Sequence, residues 1–237
     1  MKYSKSILAL IAASAFSAFS GAQAAPITVA NFSFEDNVAP VGGVVDTPPS
    51  GWFAYNQIGG ADIGSQNADG ALFTQNNPLG SPAQGNQFTY VNIFADNPNA
   101  AGGLYQDVGS LLPNTTYTLT VAIGSRADRI NSPGIISLIN GFDPFSGIVM
   151  ATGGGLPSTQ NTWQDYSISF TTGSVVSDNL IIALSVAPAG TIQADFDNVR
   201  LDAVTAAIPE PSTVAMIALG GVAMAGFVRR SLRKSEA

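Results

Sequence analysis

The sequence predicts an antiparallel β-sandwich of the jelly-roll kind, flanked by an apolar segment at each end of the chain. Three observations carry that expectation. Several stretches alternate apolar and polar residues with period two, glycine, proline and asparagine cluster between them, and no stretch between the ends sustains a helical 3.6-residue period. Two sheets that bury each other's apolar faces satisfy this pattern, because each strand then hides every second side chain.

The clearest strand is TTYTLTVAIG at residues 115–124, where Tyr117, Leu119, Val121 and Ile123 share one face and Thr116, Thr118 and Thr120 the other. Others are expected at NFSFE (31–35), NQFTYVNIF (86–94), GLYQDVG (103–109), GIISLING (134–141), DYSISFTT (165–172), NLIIALSV (179–186) and ADFDNVRL (194–201). Residues 53–85 are rich in Gly, Asn, Gln and Ala with few apolar anchors, and are expected to be irregular apart from a short strand at GALFT.

The ends give an address. Lys2 and Lys5 precede an apolar run at 7–19 and the small residues Ala22 and Ala24, the order of a secretory signal peptide over 1–24 with cleavage before Ala25. The C-terminal apolar run, 214–228, would reach only about 22 Å as a helix, against a hydrocarbon thickness of roughly 30 Å. It spans a membrane as a helix over about 212–228, with the basic tail 229–234 held in the cytoplasm and the body outside. Pro209, Glu210 and Pro211, then the apolar run, then Arg229 and Arg230, resemble the PEP-CTERM sorting signal. That resemblance implies that residues 206–237 are a temporary tag, inserted transiently in the inner membrane and removed by an exosortase on the way to the cell surface or extracellular matrix of a bacterium that makes exopolysaccharide.

Between these segments lies one domain, 25–205, large enough for a single core. It holds fourteen acidic residues against three arginines, a formal balance of −11. With no basic patch, nucleic acid is excluded as a partner. The chain has no cysteine and no histidine, and the domain has no lysine. Disulfides, thiolate nucleophiles, zinc sites and histidine-based triads are therefore absent, and paired carboxylates are the one familiar catalytic device left. Glu35 is the domain's only glutamate, so the expectation is a protein that is not an enzyme.

The order NFSFED, SGWFAY, LYQDVGSLLPNTTYTLTVAIGSR, TWQDYSISFTT and DFDNVRL resembles the galactose-binding-like jelly rolls, which include many carbohydrate-binding modules. The resemblance implies a close approach of first and last strands that holds a structural calcium ion, here between Glu35 and Asp197. Parity supports the second residue: Asp197 shares its face with Val199 and Leu201, and a carboxylate at the rim of a core needs a partner. With no His or Cys, Ca²⁺ or Mg²⁺ are the metals that fit; hydrogen bonds from turn amides, or a pair with Arg200, are the alternatives.

A sugar platform needs exposed rings and polar groups for hydroxyls. Trp52, Tyr55, Tyr90 and Tyr105 are the candidate rings, with Asn92, Gln106, Arg126, Asp128 and Arg129 as polar partners. The function expected is non-catalytic binding of a polysaccharide, the producer's own exopolysaccharide being the natural candidate. A structural or adhesive matrix role without a sugar pocket is the alternative, with a secreted glycosidase or an ice-binding threonine array behind it.

Overall fold

The computed structural model describes residues 24–36, 38–58, 61–68, 81–93, 101–186 and 192–206. Among its described residues the compact unit Ala24–Thr205 contains twelve strands and its own apolar core. They are β1 (Ala24–Ile27), β2 (Val44–Val45), β3 (Phe53–Ile58), β4 (Ala61–Asn67), β5 (Gln87–Ile93) and β6 (Ala101–Ser110). β7 (Thr115–Ser125), β8 (Gly134–Gly141), β9 (Ile148–Gly155), β10 (Thr162–Thr171), β11 (Asn179–Val186) and β12 (Ile192–Thr205) complete the set. The signal peptide, GALFT and the C-terminal sorting segment with its apolar helix lie outside the described residues, except that Ala24 opens β1.

Two antiparallel sheets form the expected sandwich. One runs β10-β7-β12-β5-β4-β2, with β1 continuing beside β12 as its seventh strand; the other runs β3-β6-β11-β8-β9. The alternation that predicts β7 is the reason for its place. Tyr117, Leu119, Val121 and Ile123 are buried against Leu104, Ile136, Leu138, Ile182 and Leu184 of the facing sheet. On the other face Thr116 bonds Thr171 at 2.8 Å and Thr120 bonds Ser167 at 2.7 Å, so these threonines make cross-strand pairs with β10.

Two expectations change and one strand is added. Residues 31–35 form a turn, not a strand, with Asn31 and Phe34 at positive φ and the Phe34 ring buried against Trp52. Most of the described part of 53–85 is regular, as β3 and β4. Backbone pairing and the burial of Ile63 organise a stretch whose composition reads as loop. β9, IVMATGGG, lacks alternation altogether and is held by its pairing with β8.

The register of β12 breaks between Asp197 and Arg200, where Asn198 adopts a φ of 46°. This bulge reverses the parity of the strand. Before it Phe196 points into the core opposite Ile123 while Asp195 and Asp197 point outward; after it Val199 and Leu201 take the core side. The shared face expected for Asp197, Val199 and Leu201 is thereby corrected.

Candidate functional site

The outer face of the seven-stranded sheet is built in rungs. Asp62, Asn92 and Gln193 lie side by side across β4, β5 and β12, and the next rung holds Gly64, Tyr90, Asp195, Gly124 and Trp163. A side chain at Gly64 would lie 2.7 Å from the Tyr90 hydroxyl, so glycine lets that ring cross β4. The hydroxyl then donates to Asp46 at 2.6 Å. Burial, the hydrogen bond to Asp46 and the nearby carboxylates all push the Tyr90 phenol well above its ordinary range.

Arg126, at the end of β7, is 2% exposed. It grips Asp128 through Nε and one terminal nitrogen at 2.9 and 2.7 Å, gives its other terminal nitrogen to Gln66 at 2.5 Å, and lies 5.9 Å from the Phe88 ring centre. Burial pushes the Asp128 carboxyl up, but the hydrogen bond and charge of Arg126 outweigh it and hold it below its ordinary value. Asp46, Asp62, Gln66, Tyr90, Arg126, Arg129 and Gln193 line a cavity of about 240 Å³. Burial and the charge of Asp46 raise the Asp62 carboxyl.

Asp195 is fully buried and is not itself a lining residue of this cavity; it sits opposite Tyr90 and bonds Gln193, both of which line it. Its Oδ1 accepts from Gln193 at 2.6 Å, while Oδ2 has no hydrogen-bond partner among the described residues. Burial pushes its carboxyl up to about 7, although Arg126 and the Gln193 bond act in the other direction. A half-partnered acid that exchanges its proton near neutrality is suited to proton transfer.

The candidate sugar residues do not converge. Trp52 is corrected to a core residue: it is 4% exposed, packs at a tilt against Phe34 with ring centres 5.5 Å apart, and donates its indole N–H to the Ala30 carbonyl. Gln106 is buried as a clamp on the backbone of Ala30 and Gly51. Tyr90, Asn92, Arg126, Asp128 and Arg129 gather on the seven-stranded sheet, whereas Tyr55 and Tyr105 lie on the opposite face of the sandwich. There Phe53, Tyr105, Tyr55 and Phe145 form a row with neighbouring ring centres 5.5, 6.1 and 5.8 Å apart. Gly103 lets Tyr55 lie over β6, since any side chain there would meet the ring.

At the far end of the polar sheet, Asp197 takes backbone N–H bonds from Gln84 at 2.7 Å and Asn198 at 2.6 Å. Glu35 Oε1 takes those of Asn86 and Gln87 at 2.8 and 2.7 Å. Burial drives Asp197 well upward; the two amides oppose this, and the Glu35 charge adds to it. Arg200 pairs instead with Asp165. Among the described residues no group of three acidic side chains gathers for a metal, so a cation here would have two carboxylates and would draw its other ligands from carbonyls and water.

Comparison with known proteins gives the domain a family. No curated protein matches the chain. A PEP-CTERM protein-sorting motif covers residues 207–234, in accord with the tripartite terminus. A Stig cyclase, Fisc, from Fischerella sp. TAU in complex with (3Z)-3-(1-methyl-2-pyrrolidinylidene)-3H-indole aligns with a TM-score of 0.66 and 24% identity over 78% of this chain and all of that one. An apo form cyclase from Fischerella sp. aligns at 0.64 and 23% over 78% of this chain and 98% of its own. A structure titled for the carbohydrate-binding module CBM4 aligns at 0.46 and 16%, over 74% of this chain and 99% of its own. The HpiC1-like family, described as HpiC1 cyclase, matches residues 25–202, which corrects the expectation that the protein is not an enzyme: the exported domain has the fold of a cyclase family. The chain belongs to that HpiC1-like cyclase family and carries a PEP-CTERM sorting motif behind its family domain.

Proposed function

We propose that the domain is an exported enzyme of the cyclase family that takes a small polar ligand into the cavity on the seven-stranded sheet and exchanges a proton with it through Asp195. The observation that carries this reading is the fully buried Asp195, with one oxygen unpartnered among the described residues, directly behind Tyr90 and Gln193 of the cavity that Asp46, Asp62 and Arg126 complete. Tyr90 and the paired Arg126 hold fixed dipoles around the ligand, so little reorganisation accompanies proton transfer. The test is incubation of the purified domain in D₂O with a small-molecule extract of the producing cells. Deuterium uptake into one component, abolished by Asp195→Asn with the fold retained, is expected; equal uptake with and without the substitution would overturn the role of Asp195.

The PEP-CTERM motif supports export, transient anchoring by the C-terminal segment and exosortase processing to the surface or matrix. Two further parts of the reading rest on other observations. Polysaccharide binding is supported by the aromatic row Phe53–Tyr105–Tyr55–Phe145, whose end rings are 60% and 67% exposed. Retarded migration in polysaccharide gels that is lost in Tyr55→Ala and Tyr105→Ala, but kept in Tyr90→Phe, would support it. Structural calcium is supported by the mutual repulsion of Glu35 and Asp197, which a hard cation would relieve.

A further inference from the structure

The cavity on the seven-stranded sheet carries negative charge that the domain does not balance. Asp46, directly after β2, and Asp62, on β4, both line it, and burial together with the charge of Asp46 raises the Asp62 carboxyl. Neither forms an ion pair among the described residues. The domain has only three cations to offer. Arg126 is held by Asp128 and Arg200 by Asp165, while Arg129 lines the cavity without pairing with either acid. Exposed acids elsewhere on the domain are answered by water, but these two share a confined space, where like charges repel more strongly.

The other walls suit an organic ligand. Tyr90 supplies an aromatic ring whose hydroxyl is tied to Asp46, and a ring flanked by carboxylates holds an ammonium group through both its π face and the neighbouring charge. Gln66, Asn92 and Gln193 add neutral amides, and Val44 an aliphatic contact. Gln66, Tyr90, Arg126 and Gln193 are 7%, 4%, 2% and 3% exposed, so these walls are set before a ligand arrives. A divalent metal ion fits poorly. It fills little of about 240 Å³, it finds only two carboxylates, and the guanidinium groups of Arg126 and Arg129 repel it.

We propose that the ligand of this cavity is a small organic cation, a protonated amine or amidinium whose nitrogen lies between Asp46 and Asp62 against the Tyr90 ring. This rests on the reading that the cavity is the ligand site, and adds the charge class of what enters it. The ligand supplies the positive charge that the chain lacks there. Strand order gives the ligand a direction: β2 and β4 bring both acids to one side, whereas Arg129 comes from the loop after β7. The nitrogen therefore points toward β4, and any electron-rich group of the ligand toward Arg129.

NMR titration of the unit Ala24–Thr205 in amine-free buffer at about pH 8 tests this with three probes of one shape: benzylamine as the cation, benzyl alcohol as its neutral counterpart and benzoate as the anion. Benzylamine is expected to bind about tenfold more tightly than the alcohol, and benzoate more weakly than both. Asp62→Asn and Asp46→Asn should each weaken benzylamine about tenfold and leave the alcohol unchanged, with circular dichroism unaltered; asparagine at 46 still accepts the Tyr90 hydroxyl. Asp178→Asn removes the same charge outside the cavity lining and should change neither. Asp195→Asn should still bind benzylamine, which separates this inference from the proton-transfer role. An alcohol bound as tightly as the amine would overturn the cationic ligand and leave the cavity a ligand site, whereas no binding by any probe would overturn both. Displacement of benzylamine by an equal concentration of calcium or magnesium would also overturn it, by assigning the two carboxylates to a metal.

Discussion

Asp195 opposes folding, and the sign of that opposition can be measured. Its carboxyl rises from an ordinary 3.8 to about 7 on burial. The folded state therefore holds a proton that the unfolded chain has already lost across the window between those values, and stability falls as pH climbs through it. The shift corresponds to a penalty on the order of 4 kcal/mol above neutrality, a ceiling that local relaxation reduces. Asp195→Asn should thus melt higher than wild type at pH 8, and the difference should shrink toward zero as pH approaches 4; a constant difference would show that the carboxyl is not the titrating group. A residue that weakens its own fold at working pH is understandable as part of a reactive site. The sequence showed an acidic residue on a strand at this position but not its burial, because Gln193, Arg126 and Tyr90 come from three strands that only the sheet brings together.

The bulge in β12 decides which face carries the chemistry. Without the extra residue at Asn198, Asp195 and Asp197 would follow Val199 into the core and the polar face would lose both. Asn198 suits the position because it tolerates φ of 46° and its side-chain amide donates to the Pro82 carbonyl at 2.7 Å. Asn198→Ala should lower stability by about 1–2 kcal/mol, since it loses that bond and keeps a strained backbone. Asn198→Gly removes only the bond and should lose less; denaturant unfolding of the two variants gives the order. This element also marks how far the sequence could be read. Strict alternation in β7 identified its core face from the residues alone, whereas in β12 the alternation of 192–196 and of 199–203 is interrupted by the polar pair Asp197 and Asn198, and a parity count running through that pair puts Asp197 on the wrong face. β4 was hidden for a different reason: ADIGSQN has one large apolar residue, and its place comes from pairing with β5 along its whole length.

At the scale of the whole domain, fourteen carboxylates against three arginines leave a chain that repels itself. Sodium chloride should raise its melting temperature modestly by screening, and any divalent cation should do so at lower concentration. A specific calcium site adds a different increment, because a ligand bound only by the folded state stabilises in proportion to the logarithm of its concentration. The two contributions separate at Glu35. Glu35→Gln removes one carboxylate from the pair while its amide oxygen can still accept from Asn86 and Gln87, so the turn at residues 31–36 keeps its hold on the 84–87 segment. If calcium sits between Glu35 and Asp197, scanning calorimetry of this variant should show the sodium effect intact and the calcium increment largely gone. An undiminished calcium increment would assign the effect to diffuse screening and leave Glu35 and the upward-shifted Asp197 with no ion between them. The first outcome would also show the ion joining the turn at residues 31–36 to β12, a cross-link of the kind that cysteines would otherwise provide.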